Sequence, residues 1–259
     1  MSFDNSISMK NAHPFGSTKE AVVYPLLVLI VLWLVYWADH LFPTIDFYKF
    51  GVKPHDIASL KGILFMPLIH SKTEIEHIIN NSMPTAILLG AIVYYYRSIA
   101  GRVFFFSWLF TGIGVWLFAE NNFSYHIGMS GVIYAMAGFL FTSGVLRKYL
   151  PLQAISLFVA FVYGSLIWGV FPMEPHVSWE GHLMGLISGV ALAFIYRKKG
   201  PQSPKYQFEI EKELGIEPPD FEGELNERIR LEEERRKAAE IEANGPTYHY
   251  HYVQKKEKE

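Results

Sequence analysis

The sequence predicts an all-α membrane domain followed by a charged tail, and three observations carry that prediction. Six apolar blocks of roughly membrane-crossing length lie between residues 21 and 197. Basic residues gather at alternate connections between those blocks. The roughly 60 residues after Tyr196 are instead crowded with Glu, Lys and Arg.

Composition narrows the function classes first. Of the 259 residues, 51% are hydrophobic and 16% aromatic, and no cysteine is present. Disulfides, thiol nucleophiles and thiolate metal sites are thereby excluded. The formal net charge of −2 gives no electrostatic reason to expect a nucleic-acid partner. Residues 1–20 are polar and lack a small-residue cleavage site behind a short apolar core, so the first block is expected to stay as an anchor.

The blocks fall near 21–38, 78–97, 102–119, 130–147, 152–171 and 179–197. A soluble core accommodates one or two such runs, but six in so short a stretch leave almost no polar surface. Lys10 and Lys19 precede the first block, Arg97 and Arg102 flank the second connection, Arg147 and Lys148 follow the fourth block, and Arg197, Lys198 and Lys199 follow the sixth. The connections 120–129 and 172–178 contain neither Lys nor Arg. The positive-inside rule therefore predicts a multi-pass protein of the cell membrane with both termini cytoplasmic. The connection 39–77 carries four lysines diluted over a long loop, where the rule is weak. Its apolar piece "GILFMPLI" predicts that it lies on or partly in the interface. The expected organisation is a cytoplasmic segment 1–20, a membrane domain 21–198 and a charged cytoplasmic tail 199–259.

With that topology, blocks two, four and six run inward from the outer face. His77 with Asn80 and Asn81, then Ser130, then His182 fall near their outer ends. At 1.5 Å per residue these groups lie roughly 5–10 Å below the boundary. Polar groups at such a depth face a bundle interior or a water-filled cavity, which makes their convergence a functional signal. His77 and Asn81 are four residues apart and share a helical face. Ser130 opens its helix, where free N–H groups favour a developing anion. His182 is followed by Gly185 and Gly189, a ridge that admits a close neighbour, and Gly131, Ala135 and Gly138 form a matching ridge. If the ridges meet, Ser130 and His182 come within reach of each other. A serine hydroxyl becomes nucleophilic when an adjacent base takes its proton, and His182 is the available base. The Ser130 N–H, His77 and Asn81 are the available donors for an oxyanion.

These residues resemble the rhomboid intramembrane serine proteases. "GMSG" (Gly128 to Gly131) matches that family's GxSG, "HIINN" (His77 to Asn81) its HxxxN, and "GHLMGLISG" (Gly181 to Gly189) its final-helix histidine and GxxxG. "FGVKPHDIASLKGILFMPLIH" resembles the first-loop pattern of bacterial members. The resemblance covers about residues 20–198, and the order of the three motifs gives it its specificity. It implies a six-helix bundle and a dyad without a third acid: Ser130 as nucleophile, His182 as base and then acid. It further implies an oxyanion site at His77, Asn81 and the Ser130 N–H, Tyr134 packed on the catalytic histidine, and Gly128 shaping the site. Implied substrates are single-span membrane proteins cut within the bilayer beside small residues, with no metal or organic cofactor. The first-loop Trp-Arg pair of many members is missing, and His70, seven residues before His77, is given no catalytic role. Met129 fills the variable position of GxSG and is expected to narrow the space beside the nucleophile.

Two other readings compete. A catalytically silent rhomboid-like protein would bind transmembrane helices without cutting them, and intact Ser130 and His182 argue against it. A small transporter would carry polar residues at the midplane and an internal repeat, neither of which the sequence displays. Taken singly, Ser130 is also a plausible helix cap and His126 a plain loop residue. In the tail, "FEGELNERIRLEEERRKAAEIEANG" has many Glu-to-Arg or Lys pairs at i,i+4 and a stop at Asn244-Gly245. It predicts a solvated helix or partly disordered region, a docking candidate for a cytoplasmic partner, with His249 and His251 as ordinary tail residues.

Overall fold

A computed structural model describes residues 16–162, 168–172, 178–201, 207–216, 220–245 and 249–253. The chain divides into two units, Met1–Pro204 and Lys205–Glu259. The described residues are helical apart from turns and one isolated antiparallel bridge between Val52 and His126.

In the first unit the helices are α1 (Thr18–Leu41), the single turn α2 (Gly62–Phe65), α3 (Ile75–Tyr95), α4 (Ala100–Phe118), α5 (Ser130–Leu146), α6 (Leu150–Val162) and α7 (Trp179–Ile195). Among the described residues α1, α3 and α4 are long and apolar enough to cross a membrane by length and composition, while α5, α6 and α7 are shorter apolar helices. Residues 163–167 of the expected fifth block lie outside the described residues. The exposed faces are apolar: Val22, Leu26, Leu27, Ile30 and Leu34 of α1 all lie on the surface. In water such a surface would drive association, whereas lipid covers it without penalty.

The inner faces form one core of α1, α3, α4, α5, α6 and α7 residues, among them Leu32, Leu88, Ile92, Val103, Phe139, Leu152 and Leu192. α7 packs chiefly against α5 and α4. Two pairs of residues account for the close approach to α5. A β-carbon on Gly185 would lie 2.0 Å from the Gly131 carbonyl oxygen, and one on Gly189 would lie 2.0 Å from that of Ala135. Gly138 faces Leu186 in the same seam. The ridges read from the sequence are thus in direct contact, and only hydrogen fits between them.

The bundle has two distinct ends. The N-termini of α3, α5 and α7 meet at one of them, where Lys72 also pairs with buried Asp39 at 2.8 Å. At the other, Arg97 pairs with Glu20 at 2.9 Å. There Arg147 is buried and donates to the Tyr196 carbonyl at 2.7 Å and also to that of Lys199. A guanidinium thereby binds the carbonyls that end α7 and ties them to the end of α5.

Helix α3 starts at Ile75, earlier than the apolar count suggested, because its first turn, Ile75 to Ile78, includes polar Glu76 and His77. The connection between α1 and α3 is built of tight turns seated on α4. Trp108 Nε1 donates to the Ile63 carbonyl at 3.2 Å and Trp116 Nε1 to that of Asp56 at 2.9 Å. Ile57, Leu60, Leu64 and Phe65 on this connection remain exposed.

The second unit contains α8 (Gln207–Glu213) and α9 (Phe221–Ala243). Asp220 caps α9 by accepting the Gly223 N–H at 2.8 Å, and Asn244 ends it. No α9 residue is buried, so the solvated helix expected from the charge pattern is what forms.

Candidate active site

The α5–α7 seam brings Ser130, the first residue of α5, against His182 in the first turn of α7. Ser130 Oγ lies 2.8 Å from His182 Nε2. Met129, not Ser130, is the N-cap of α5, so the serine hydroxyl points across the seam instead of closing its own helix. On the other edge of the ring, His182 Nδ1 is 2.8 Å from the Gly169 carbonyl oxygen. A carbonyl only accepts, so Nδ1 carries the proton and Nε2 presents a lone pair to the Ser130 hydroxyl. Tyr134, one turn into α5, stacks on the imidazole with ring centroids 4.3 Å apart and planes 15° apart.

The stretch before Ser130 is held by the α1–α3 connection. His126 and Val52 exchange both main-chain hydrogen bonds, at 3.0 and 2.7 Å. The Gly128 N–H donates to the Met66 carbonyl at 2.9 Å. The Met129 N–H donates to His70 Nε2 at 3.4 Å. The next N–H along the chain is that of Ser130, which opens α5 and has no carbonyl a turn behind it in helical register.

His77 faces this stretch from α3. Its Nδ1 accepts the Ser71 N–H at 3.4 Å, which leaves the proton on Nε2. A β-carbon on Gly128 would sit 2.6 Å from that Nε2, and Gly128 has φ +107°. Both the backbone angle and the imidazole therefore require glycine here. Asn81 is buried one turn on and donates to the His77 carbonyl at 2.7 Å, whereas Asn80 is exposed. Ser130, His182, His77, Gly128 and Tyr134 form one contiguous group, with Asn81 attached through His77.

Sequence reasoning missed three members of this surround. Gly169 acts through its carbonyl, so its side chain carries no signal. His126 is 4% exposed and His70 2% exposed, where the sequence suggested a loop residue and no role. His70 accepts from Met129 through Nε2 and lies 3.4 Å from the Leu68 carbonyl through Nδ1, two bonds that one neutral tautomer satisfies. Its ring meets that of His77 edge-on at 5.0 Å.

A model of the rhomboid domain matches residues 58–199, more than half of the chain. The chain belongs to the rhomboid family. That family consists generally of intramembrane serine proteases acting on membrane-protein substrates, and this rhomboid is a membrane protein. An uncharacterized protein of Mycobacterium tuberculosis is 33% identical over 158 residues, 56% of this chain and 62% of its own length. An uncharacterized protein of Mycobacterium leprae is 32% identical over 172 residues, 62% of this chain and 63% of its own length. This rhomboid therefore spans less than two thirds of the length of either relative.

Burial, and His77 beside it, hold His70 of this rhomboid well below the ordinary value of 6.5, at about 3. The folded state consequently binds fewer protons than the unfolded state between about 3 and 6.5. The stabilising contribution is complete above about 6.5 and falls as the pH drops below it. The melting temperature in detergent is expected to fall between pH 7 and pH 5 more steeply for the parent than for His70→Gln, whose amide oxygen still accepts from Met129. Equal slopes would show that His70 does not carry this dependence.

Proposed function

We propose that this rhomboid is an intramembrane serine endopeptidase that cleaves transmembrane segments of other membrane proteins with a Ser130–His182 dyad. The observation that carries the reading is the 2.8 Å contact between Ser130 Oγ and His182 Nε2. The ring's other nitrogen is held in the complementary tautomer by Gly169. Six crossings, formed by α1, α3, α4, α5, α6 and α7, would set this group near the outer face of the cell membrane. Both termini are then cytoplasmic, as the basic residues at the alternate connections require.

In this mechanism Ser130 Oγ attacks the scissile carbonyl carbon while its proton passes to His182 Nε2. The negative charge on the tetrahedral oxygen is received by the Ser130 N–H and His77 Nε2–H, with Asn81 one turn along α3. Collapse of the intermediate breaks the C–N bond, and His182 gives its proton to the leaving amine. Water, deprotonated by His182, then attacks the acyl-serine and releases the second product. Tyr134 under the imidazole keeps the ring in the plane that serves both transfers. No step calls for a metal or an organic cofactor.

The test uses purified protein in proteoliposomes with a single-span substrate bearing small residues near its outer boundary, together with a fluorophosphonate serine probe. Parent protein is expected to cut and to be labelled, and Ser130→Ala to do neither. A folded parent that binds the substrate helix but neither cuts it nor reacts would establish the silent rhomboid-like protein instead.

A further inference from the structure

Both members of the proposed dyad stand at the least secure part of a helix. Ser130 is the first residue of α5, and His182 lies in the first turn of α7, directly after Gly181. First-turn N–H groups have no intrahelical partner, and helix ends fray unless a cap holds them. The His182 N–H makes its bond to the Ser178 carbonyl at 3.2 Å, and the Ser178 hydroxyl caps α7 by accepting the Gly181 N–H at 3.3 Å. The position of His182 thus depends on where Ser178 is held.

His126 holds it. Its Nδ1 is hydrogen-bonded to the Ser178 hydroxyl. His126 stands four residues before Ser130, and Ser178 stands four residues before His182. The two cross-links, His126 to Ser178 and Ser130 to His182, have the same sequence separation of 52. On the far edge of the ring, Nε2 is 3.2 Å from the Asn121 carbonyl, which fixes the proton on Nε2 and leaves Nδ1 to accept from the serine hydroxyl. The main chain of His126 is in turn bonded in both directions to Val52. Buried Glu180 lies on the same first turn of α7 and interacts electrostatically with the imidazole. Burial holds His126 below its ordinary value, so the ring is neutral in the form these bonds require.

We propose that His126 is a positioning residue, whose hydrogen bond to the Ser178 cap of α7 sets the separation of Ser130 and His182. The inference rests on the protease reading above. His126 touches neither substrate nor the reacting atoms in this scheme. It joins the connection at Val52 to the N-cap of α7, whereas the glycine seam meets α7 from Gly181 onward.

The experiment compares fluorophosphonate labelling rates of the full-length protein with those of His126→Phe, His126→Asn, Ser178→Ala and the His126→Phe/Ser178→Ala pair, beside their melting temperatures. Phenylalanine fills the ring volume without a nitrogen, and an Asn side-chain amide reaches the position of Nδ1. His126→Phe and Ser178→Ala are each expected to slow labelling roughly 10- to 100-fold, the double variant no more than the slower single, since both break one link. His126→Asn is expected to recover most of the rate. Labelling by His126→Phe at the parent rate, multiplying losses in the double variant, or failure of Asn to restore more than Phe would each overturn the assignment. A second arm is independent of protease activity: nitrogen NMR of 15N-histidine protein, with the His182 ring signals identified by their loss in His182→Ala. In the parent these signals report one tautomer with the proton on Nδ1, and His126→Phe is expected to shift them toward a tautomer average. If the parent is not labelled but the shift occurs, the protease reading fails and the positioning role stands. If the His182 signals are unmoved by His126→Phe, the positioning role fails whatever the activity.

Discussion

His182→Ala is expected to lower the fluorophosphonate labelling rate by about 10⁴-fold or more, with the melting temperature close to that of the parent. A serine hydroxyl at neutral pH is almost wholly protonated, so its reactivity depends on a base at hydrogen-bond distance. Nε2 at 2.8 Å is that base, and no other titratable side chain among the described residues is bonded to Ser130. The alanine variant keeps the Ser178 cap, made by the serine hydroxyl, and the backbone contacts of the glycine seam, and gives up the stack on Tyr134. A folded His182→Ala protein that labels within about 10-fold of the parent would remove His182 from the chemistry. The orienting group sharpens the expectation. In a triad a carboxylate both orients the imidazole and stabilises its charged form. The Gly169 carbonyl orients the ring in the same way but carries no net charge, so it stabilises the imidazolium formed during acylation less than a carboxylate would. Under the proposed mechanism a slow reaction is the expected result, and no side-chain substitution at residue 169 deletes the carbonyl that sets the tautomer.

The fold and the proposed dyad were legible in the sequence for the same reason: both are written in helices. Apolar runs locate α1, α3, α4, α5 and α7 because lipid and core both demand apolar side chains over a full crossing. Ser130 and His182 became a pair because their glycine ridges have matching periods, and a ridge constrains which residues on two helices can meet. His77 and Asn81 followed from helical spacing, although the polar first turn of α3 hid where that helix begins. His126, His70 and Gly169 were not legible because they lie in connections, which have no period. Their partners are Ser178, Met129 and His182, at separations of 52, 59 and 13 residues that only the folded chain closes. For His126 one signal was available. Its separation from Ser178 equals that of Ser130 from His182, so a second histidine and a second serine share the offset of the proposed dyad.

Gly185→Val is expected to abolish labelling to within the limit of detection, at least about 100-fold, and to lower the melting temperature by several degrees. The first atom added already lies 2.0 Å from the Gly131 carbonyl oxygen, and the neighbouring contacts are 2.8 and 3.2 Å, all to backbone. No rotamer relieves such an overlap, so α7 must move away from α5 or turn about its axis. Gly131 follows Ser130 directly, and His182 lies three residues before Gly185. Any displacement at this contact is therefore delivered to the 2.8 Å bond, and a shift near 1 Å is enough to break a hydrogen bond or misalign an attack. Gly101→Ala is the matched control. It is also a helical glycine in the membrane domain, but its added β-carbon meets nothing within 4 Å. There alanine replaces glycine in open space and is expected to leave labelling unchanged and stability equal or higher by about 0.5–1 kcal/mol. The contrast separates a general intolerance of α-helical glycine substitution from a specific demand at the seam. Loss of activity in both variants would point to the former, and retention of parent-level labelling and melting in Gly185→Val would mean that the α5–α7 contact does not set the site.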